Sequence, residues 1–201
     1  MKLICGLGNP GRSYAGHRHN IGLQVIEALC RREGLTLQPR KFDARSAELT
    51  WGKTRVVLLQ PLTFMNLSGD PLSAAATFFK ILPADVLVIH DELDLPFGRL
   101  QLKAGGGSGG HHGLDSIIER WGTSDFARLR FGIGKPDRLG LEEATVSHVL
   151  SSFSPQEREK LDALIATAVE ACEAWGREGL AIAMNRFNRK ERDPKTEETE
   201  D

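Results

Sequence analysis

The apolar positions of this 201-residue chain change period several times. Leu3 to Leu7 is a short apolar run that breaks into Gly8-Asn9-Pro10-Gly11, the pattern of a buried strand entering a turn. From Ile21, apolar residues recur at Val25, Ala28 and Leu29, which is helical spacing, and Gly34 supplies a stop. Ala47 to Gln60 holds two β-leaning runs about Gly52-Lys53 and predicts a hairpin ended by Pro61. Ser68 is placed to cap a helix running through Lys80, with Pro71 in its first turn. Val86 to His90 and Leu129 to Ile133 read as buried strands, and Arg99 to Lys103 as an alternating one. After a glycine-rich stretch from Gly105, Leu114, Ile117 and Ile118 return to helical spacing. Ser154-Pro155-Gln156-Glu157 opens a long amphipathic helix carrying Leu161, Leu164, Ile165, Ala168, Val169 and Cys172.

Interleaved strands and helices with one hairpin predict an α/β fold: a single three-layer domain with a mixed, mostly parallel central sheet flanked by helices. The length suits one core, which we expect over residues 1–190. Residues 191–201 carry six acids, two bases and no apolar side chain, a composition that cannot offset its own ordering entropy and predicts a disordered acidic tail.

Composition narrows the classes. No apolar run approaches the roughly 18 residues a membrane span needs, so an integral membrane protein is excluded. The first apolar stretch is broken at once by Gly6, Gly8 and Pro10, too short for a secretory segment. Cys5, Cys30 and Cys172 are odd in number and widely spaced, which fits neither a disulfide framework nor a zinc site and points to the cytoplasm. The net charge of -1 taken alone disfavours an acidic partner, but without the tail the body is +3, and residues 1–55 hold ten bases against four acids.

Gly6-Leu-Gly8-Asn-Pro-Gly11 matches the dinucleotide fingerprint in form only. The chain continues as loop after Gly11, and no acid follows at the end of a second parallel strand. The glycines at 105–110 lack the Lys-Ser/Thr of a nucleotide-hydrolysing loop. What remains is a set of polar residues where strands end: Asn9, His19, Asn66 and Asp91, at the crevice where open α/β sheets bind ligands. A His oriented by an Asp is the minimum for a general base, and no Ser or Cys occupies a nucleophile elbow, so water attack is the economical chemistry. Asn amides can hold an amide chain or stabilise an oxyanion. On residue types alone, His19 and Asp91 read equally well as a cap and a strand-end turn, and Asn9 and Asn66 as turn residues. His90 reads as a core residue. Asp91, Glu92 and Asp94 lack the accompanying ligands of a metal site.

Seven ordered motifs carry more. Gly6-Leu-Gly-Asn-Pro-Gly11, Tyr14, Arg18-His-Asn-Ile-Gly22, Pro61 to Gly69, His90 to Pro96, Gly105 to Leu114 and Arg128 to Gly134 resemble, in order, the signatures of the bacterial peptidyl-tRNA hydrolase family. The resemblance spans residues 2 to about 190. It implies hydrolysis of the ester joining a peptide to the terminal ribose of tRNA, recycling tRNA from aborted translation, with no metal or cofactor. The partner would be peptidyl-tRNA, held by its acceptor stem and peptide end, and the enzyme a cytoplasmic monomer. By resemblance, His19 is the catalytic base and Asp91 its orienting acid. Asn9, Met65 and Asn66 line the peptide site, Tyr14 lies near the acceptor end, and Lys103 and Arg130 grip tRNA phosphates. His112 stands where the family usually has an Asn that positions substrate and water, so its imidazole would inherit that role with different length and titration. Lys103, Arg128 and Arg130 would give the modest positive excess its location. The competing class is a non-catalytic RNA-binding protein on the same fold.

Overall fold

The computed structural model describes residues 1–40, 42–136 and 142–188. The acidic tail lies outside the described residues, as does Lys41. The strands are β1 (Lys2–Gly6), β2 (Gln38–Arg40), β3 (Ala44–Trp51), β4 (Thr54–Pro61), β5 (Val86–Glu92), β6 (Leu100–Ala104) and β7 (Ala127–Gly132). The helices are α1 (Ile21–Arg32), α2 (Gly69–Phe79), α3 (His112–Trp121), α4 (Glu142–Val149), α5 (Pro155–Glu178) and α6 (Leu180–Phe187), and short 3₁₀ turns occupy Arg18–Asn20, Met65–Leu67 and Pro83–Asp85.

All seven strands form one sheet in the order β2-β3-β4-β1-β5-β7-β6. The four central strands, β4, β1, β5 and β7, run parallel, while β2, β3 and β6 add antiparallel edges. Side chains alternate across each strand, and here both faces are apolar. Ile4, Leu58, Leu87 and Ile89 face a core shared with α1, α5 and α6. Leu3, Cys5, Val57, Leu59, Val86 and Val88 face a second core shared with α2 and α3. This is why β1, β4 and β5 read as apolar runs, a sheet covered on both sides having no polar face, while β7 alternates because Arg128 and Arg130 stand on its second face. Each such side chain contributes about 1.5–3 kcal/mol by burial.

The first helix sits unusually close to the sheet. A Cβ on Gly6 would lie 2.1 Å from the Gly22 carbonyl oxygen, and one on Gly22 would lie 2.4 Å from that of Ile89. Gly6, the first of the glycines that imitate a dinucleotide fingerprint, therefore serves backbone-on-backbone packing of α1 against the sheet.

Several local expectations need correction. Ser68 occupies the residue before α2, but its hydroxyl donates to the Met65 carbonyl at 2.8 Å and caps nothing. That helix ends at Phe79, with Lys80 in a left-handed conformation at φ 55°. Strand β2, Gln-Pro-Arg, carries no apolar alternation to betray it, and its proline is tolerated because the strand lies at the sheet edge. By contrast, the Ser154–Glu157 capping box is fully formed.

Candidate active site

The carboxyl ends of β1, β4 and β5 open onto one edge of the sheet, and the predicted residues follow them: Asn9 after β1, Met65 and Asn66 after β4, and Asp91 at the penultimate position of β5. His19 lies in the 3₁₀ turn before α1. Distant segments hold that turn. Buried Arg18 donates to Ser151 Oγ at 2.6 Å, to the Ser152 carbonyl at 2.5 Å and to the Glu157 carboxylate at 2.6 Å. Glu157 is also the acid of the α5 capping box. Burial opposes its ionisation, but the Ser154 backbone N–H and Arg18 prevail and hold its pKa below the usual carboxylate value.

His19 Nδ1 lies 2.9 and 3.0 Å from the two carboxylate oxygens of buried Asp91. A second imidazole completes the group: His111 Nε2 sits 3.0 Å from Asp91 Oδ1. His111 caps α3, and its Nδ1 accepts from the amides of Gly113 and Leu114 at 3.1 and 3.3 Å. An Nδ1 that accepts leaves the proton of a neutral ring on Nε2, so His111 donates to Asp91. Asp91 is thus an acceptor for two imidazoles, which fixes the Nδ1–H tautomer of His19 and leaves its Nε2 lone pair free. Burial pushes the Asp91 carboxyl up, but His111 and His19 outweigh it and hold the group well below the ordinary carboxylate range. Asp91 stays ionised.

His90 is the core residue expected. Its Nδ1 donates to the Asp91 carbonyl at 2.7 Å, and burial followed by the neighbouring His111 lowers its pKa to about 3. It is neutral and cannot serve as a proton carrier near neutral pH. His19 and Asp91 line a cleft of about 290 Å³ with Glu92, Ser108, His111 and His112. His112 is exposed on that wall, at the first residue of α3.

Asn9 is locked from two sides. Its backbone N–H donates to Asn20 Oδ1 at 2.9 Å, and Asn20 Nδ2 donates back to its carbonyl at 2.8 Å. The Met65 amide donates to Asn9 Oδ1 at 2.8 Å, which identifies the oxygen end and leaves Nδ2 as the donor to a ligand. Met65 is buried, and its sulfur packs at Gly113, where a Cβ would lie only 2.5 Å away. Asn66 is exposed in the same 3₁₀ turn. Tyr14 is half-buried, its ring edge-on to His17 and Phe64. Asn9, Tyr14, Met65 and Asn66 do not line the 290 Å³ cleft; they belong to the neighbouring strand-end segments. Asn20 and His111 escaped sequence reasoning. The signal for His111 was its place before an apolar helical period, which marks a cap.

A second hollow of about 180 Å³ shares Glu92, Asp94, Ser108 and Gly109 with the first and is also lined by Lys103, Arg128, Arg130 and the loop residue Gly107. Arg128 does not present its charge outward as expected: it is 2% exposed, and its guanidinium donates to the carbonyls of Gly106 and Gly107, bracing the glycine-rich loop. Arg130 donates from Nε to Glu92 at 2.8 Å and from Nη1 to Gln101. Lys103 is exposed and makes no ion pair among the described residues.

His19, Asp91 and His111 bring possible ligand atoms within 4.8 Å of one another, a spacing a metal ion can use. The tautomers argue for a different occupant. Both nitrogens that face Asp91 carry protons, and freeing His111 Nε2 would cost its two backbone hydrogen bonds at Nδ1. The donor set fits a hydrogen-bonded proton relay better than a cation.

The chain is similar in sequence and fold to known proteins. A family model described as Peptidyl-tRNA hydrolase matches residues 3–195. The peptidyl-tRNA hydrolase of Symbiobacterium thermophilum is 47% identical over 189 residues, covering 93% of this chain and 98% of its own. That of Frankia alni is 46% identical, covering 92% and 93%. The crystal structure of the Acinetobacter baumannii peptidyl-tRNA hydrolase superposes with a TM-score of 0.88 at 38% identity, over 95% of this chain and 96% of that one. In fold, in the order of its motifs and along nearly its whole length, this chain belongs to the peptidyl-tRNA hydrolase family.

Proposed function

We propose that the chain hydrolyses the ester of peptidyl-tRNA by water attack, with His19 as general base. The observation that carries the reading is the carboxylate of Asp91 shared by two imidazoles, which frees His19 Nε2 to accept a proton. His19 takes a proton from water as the oxygen adds to the ester carbonyl, and Asp91 stabilises the resulting imidazolium. Asn9 Nδ2 and the Asn66 amide stabilise the tetrahedral oxyanion. Collapse breaks the bond to the terminal ribose oxygen, which takes its proton from the imidazolium. Met65 and Tyr14 shape the approach of the peptide and acceptor ends, and His112 positions substrate or water from the cleft wall.

Lys103 and Arg130 hold phosphates of the RNA, a role supported by their place in the cationic hollow beside the cleft. The same reading takes the enzyme as a cytoplasmic monomer, in keeping with three buried free cysteines. A non-catalytic RNA binder on this fold leaves the two-imidazole carboxylate without a role. Release of N-acylated amino acid from its tRNA tests the proposal. The His19→Ala variant is expected to turn over about two to four orders of magnitude more slowly. Undiminished turnover in that variant, or none in the native chain, overturns it.

A further inference from the structure

Glu92 lies on the walls of both hollows, one residue beyond the carboxylate that orients His19. Its Oε2 accepts from Arg130 Nε at 2.8 Å, and its Oε1 accepts from the Asp94 amide at 3.0 Å, so the carboxylate is oriented from both ends. Arg130 is engaged at Nε by Glu92 and at Nη1 by Gln101. A guanidinium grips phosphate through a pair of parallel N–H groups, and that geometry needs at least one of these edges. Arg128 offers no substitute, because its two terminal nitrogens are committed to the carbonyls of Gly106 and Gly107. Lys103 and Arg128 line this hollow without an ion pair among the described residues, and of the two it is Lys103 that is exposed.

We propose that Glu92 is an internal competitor for RNA phosphate: it occupies Arg130 in the free protein and must yield it when the substrate's backbone arrives. The inference rests on the reading of this hollow as the RNA phosphate site. Its consequence is kinetic. Phosphate contacts are the same in substrate, transition state and released RNA, so strengthening them lowers KM without raising kcat and slows departure of the product. A carboxylate that weakens the grip keeps the affinity for the shared RNA body low while leaving ester recognition to the cleft.

The test is a double-mutant cycle read by binding of an uncharged RNA hairpin, one carrying no amino acid, that ends in a single-stranded 3′ extension, over a series of salt concentrations. Glu92→Gln keeps the shape and removes the charge. It should tighten binding about two- to five-fold at low salt, the range a partly exposed ion pair commands. It should also steepen the salt dependence by up to about 0.9 in the logarithmic slope for the one contact released. In steady state with acylated tRNA its KM should fall and its kcat should not rise. In an Arg130→Met background the same Glu92→Gln change should give no gain. Unchanged or weaker binding by Glu92→Gln overturns the proposal, and so does an equal gain in the Arg130→Met background, which would make Glu92 a general contributor to the field. If the native chain binds the hairpin with no salt dependence, the phosphate reading of the hollow itself fails, a result distinct from a silent Glu92→Gln.

Discussion

Replacing Asp91 by Asn isolates what the shared carboxylate does. The side chain keeps its size at a position only 3% exposed, so packing is conserved. Its hydrogen-bonding pattern is not. His111 must keep its Nε2 proton, because two backbone amides occupy its Nδ1. The single oxygen of the introduced amide will therefore accept from His111, and its NH₂ will face His19 Nδ1. That NH₂ opposes the Nδ1–H of His19 at 3.0 Å although the oxygen at 2.9 Å still accepts from it, and relief of the opposition favours moving the proton to Nε2, the nitrogen that the proposed reaction needs free to take one from water. The imidazolium also loses its counter-charge, worth about 4 kcal/mol at a separation near 4 Å and an effective dielectric near 20. That alone is about a thousandfold in rate, and the wrong tautomer can raise the loss to about ten-thousandfold. Measured on N-acylated aminoacyl-tRNA, turnover is expected to slow by roughly three to four orders of magnitude, with KM within about threefold because the Asp91 oxygens are engaged by His19 and His111. Turnover within about tenfold of the native rate, in a variant that melts like the native protein, would refute the tautomer argument.

Two further outcomes concern His90 and His112. His90 is held neutral in the fold, with a pKa of about 3 against an ordinary 6.5, so the unfolded chain binds the extra proton between those values and stability declines as pH falls through that window. The full effect is of order 5 kcal/mol at about 1.4 kcal/mol per unit; a His90→Asn variant should show a correspondingly flatter stability curve by chemical denaturation between about pH 6.5 and about pH 4, and parallel curves would count against burial as the cause. His112→Asn should keep kcat/KM within a few-fold, since the amide that replaces the exposed ring on the cleft wall also donates and accepts hydrogen bonds; a loss beyond about tenfold would show that the imidazole itself is needed there.

The sheet's centre was legible because β1, β4 and β5 are covered on both faces, and burial on both faces forces an apolar run that needs no partner to be recognised, whereas β7 buries Ala127, Leu129 and Phe131 on one face and carries Arg128 and Arg130 on the other. Boundaries set by local chemistry were legible too, as at Ser154 to Glu157, where both halves of the capping box lie within four residues. Ser68 shows the limit of that logic: the right residue type stands before α2, but a preceding 3₁₀ turn offers the Met65 carbonyl as a nearer acceptor for its hydroxyl. Arg128 shows another. Its charge pointed toward a surface role, whereas its two bonded carbonyls belong to a loop 21 and 22 residues earlier in the chain.

By itself, the sequence determined the α/β class, the strand ends at which polar residues gather and, through seven ordered motifs, the family. It could nominate His19 and Asp91 because each sits at the end of a periodic element. The tertiary structure alone decided which nitrogen of His19 is free. His19 and Asp91 are 72 residues apart, and His111 reaches the same carboxylate from the head of α3. A side chain's proton is placed by whatever donor or acceptor stands within about 3 Å of it, and that neighbour is a property of the packed chain. The same holds for Arg130, whose charge is visible in the sequence but whose availability is set by Glu92, 38 residues away.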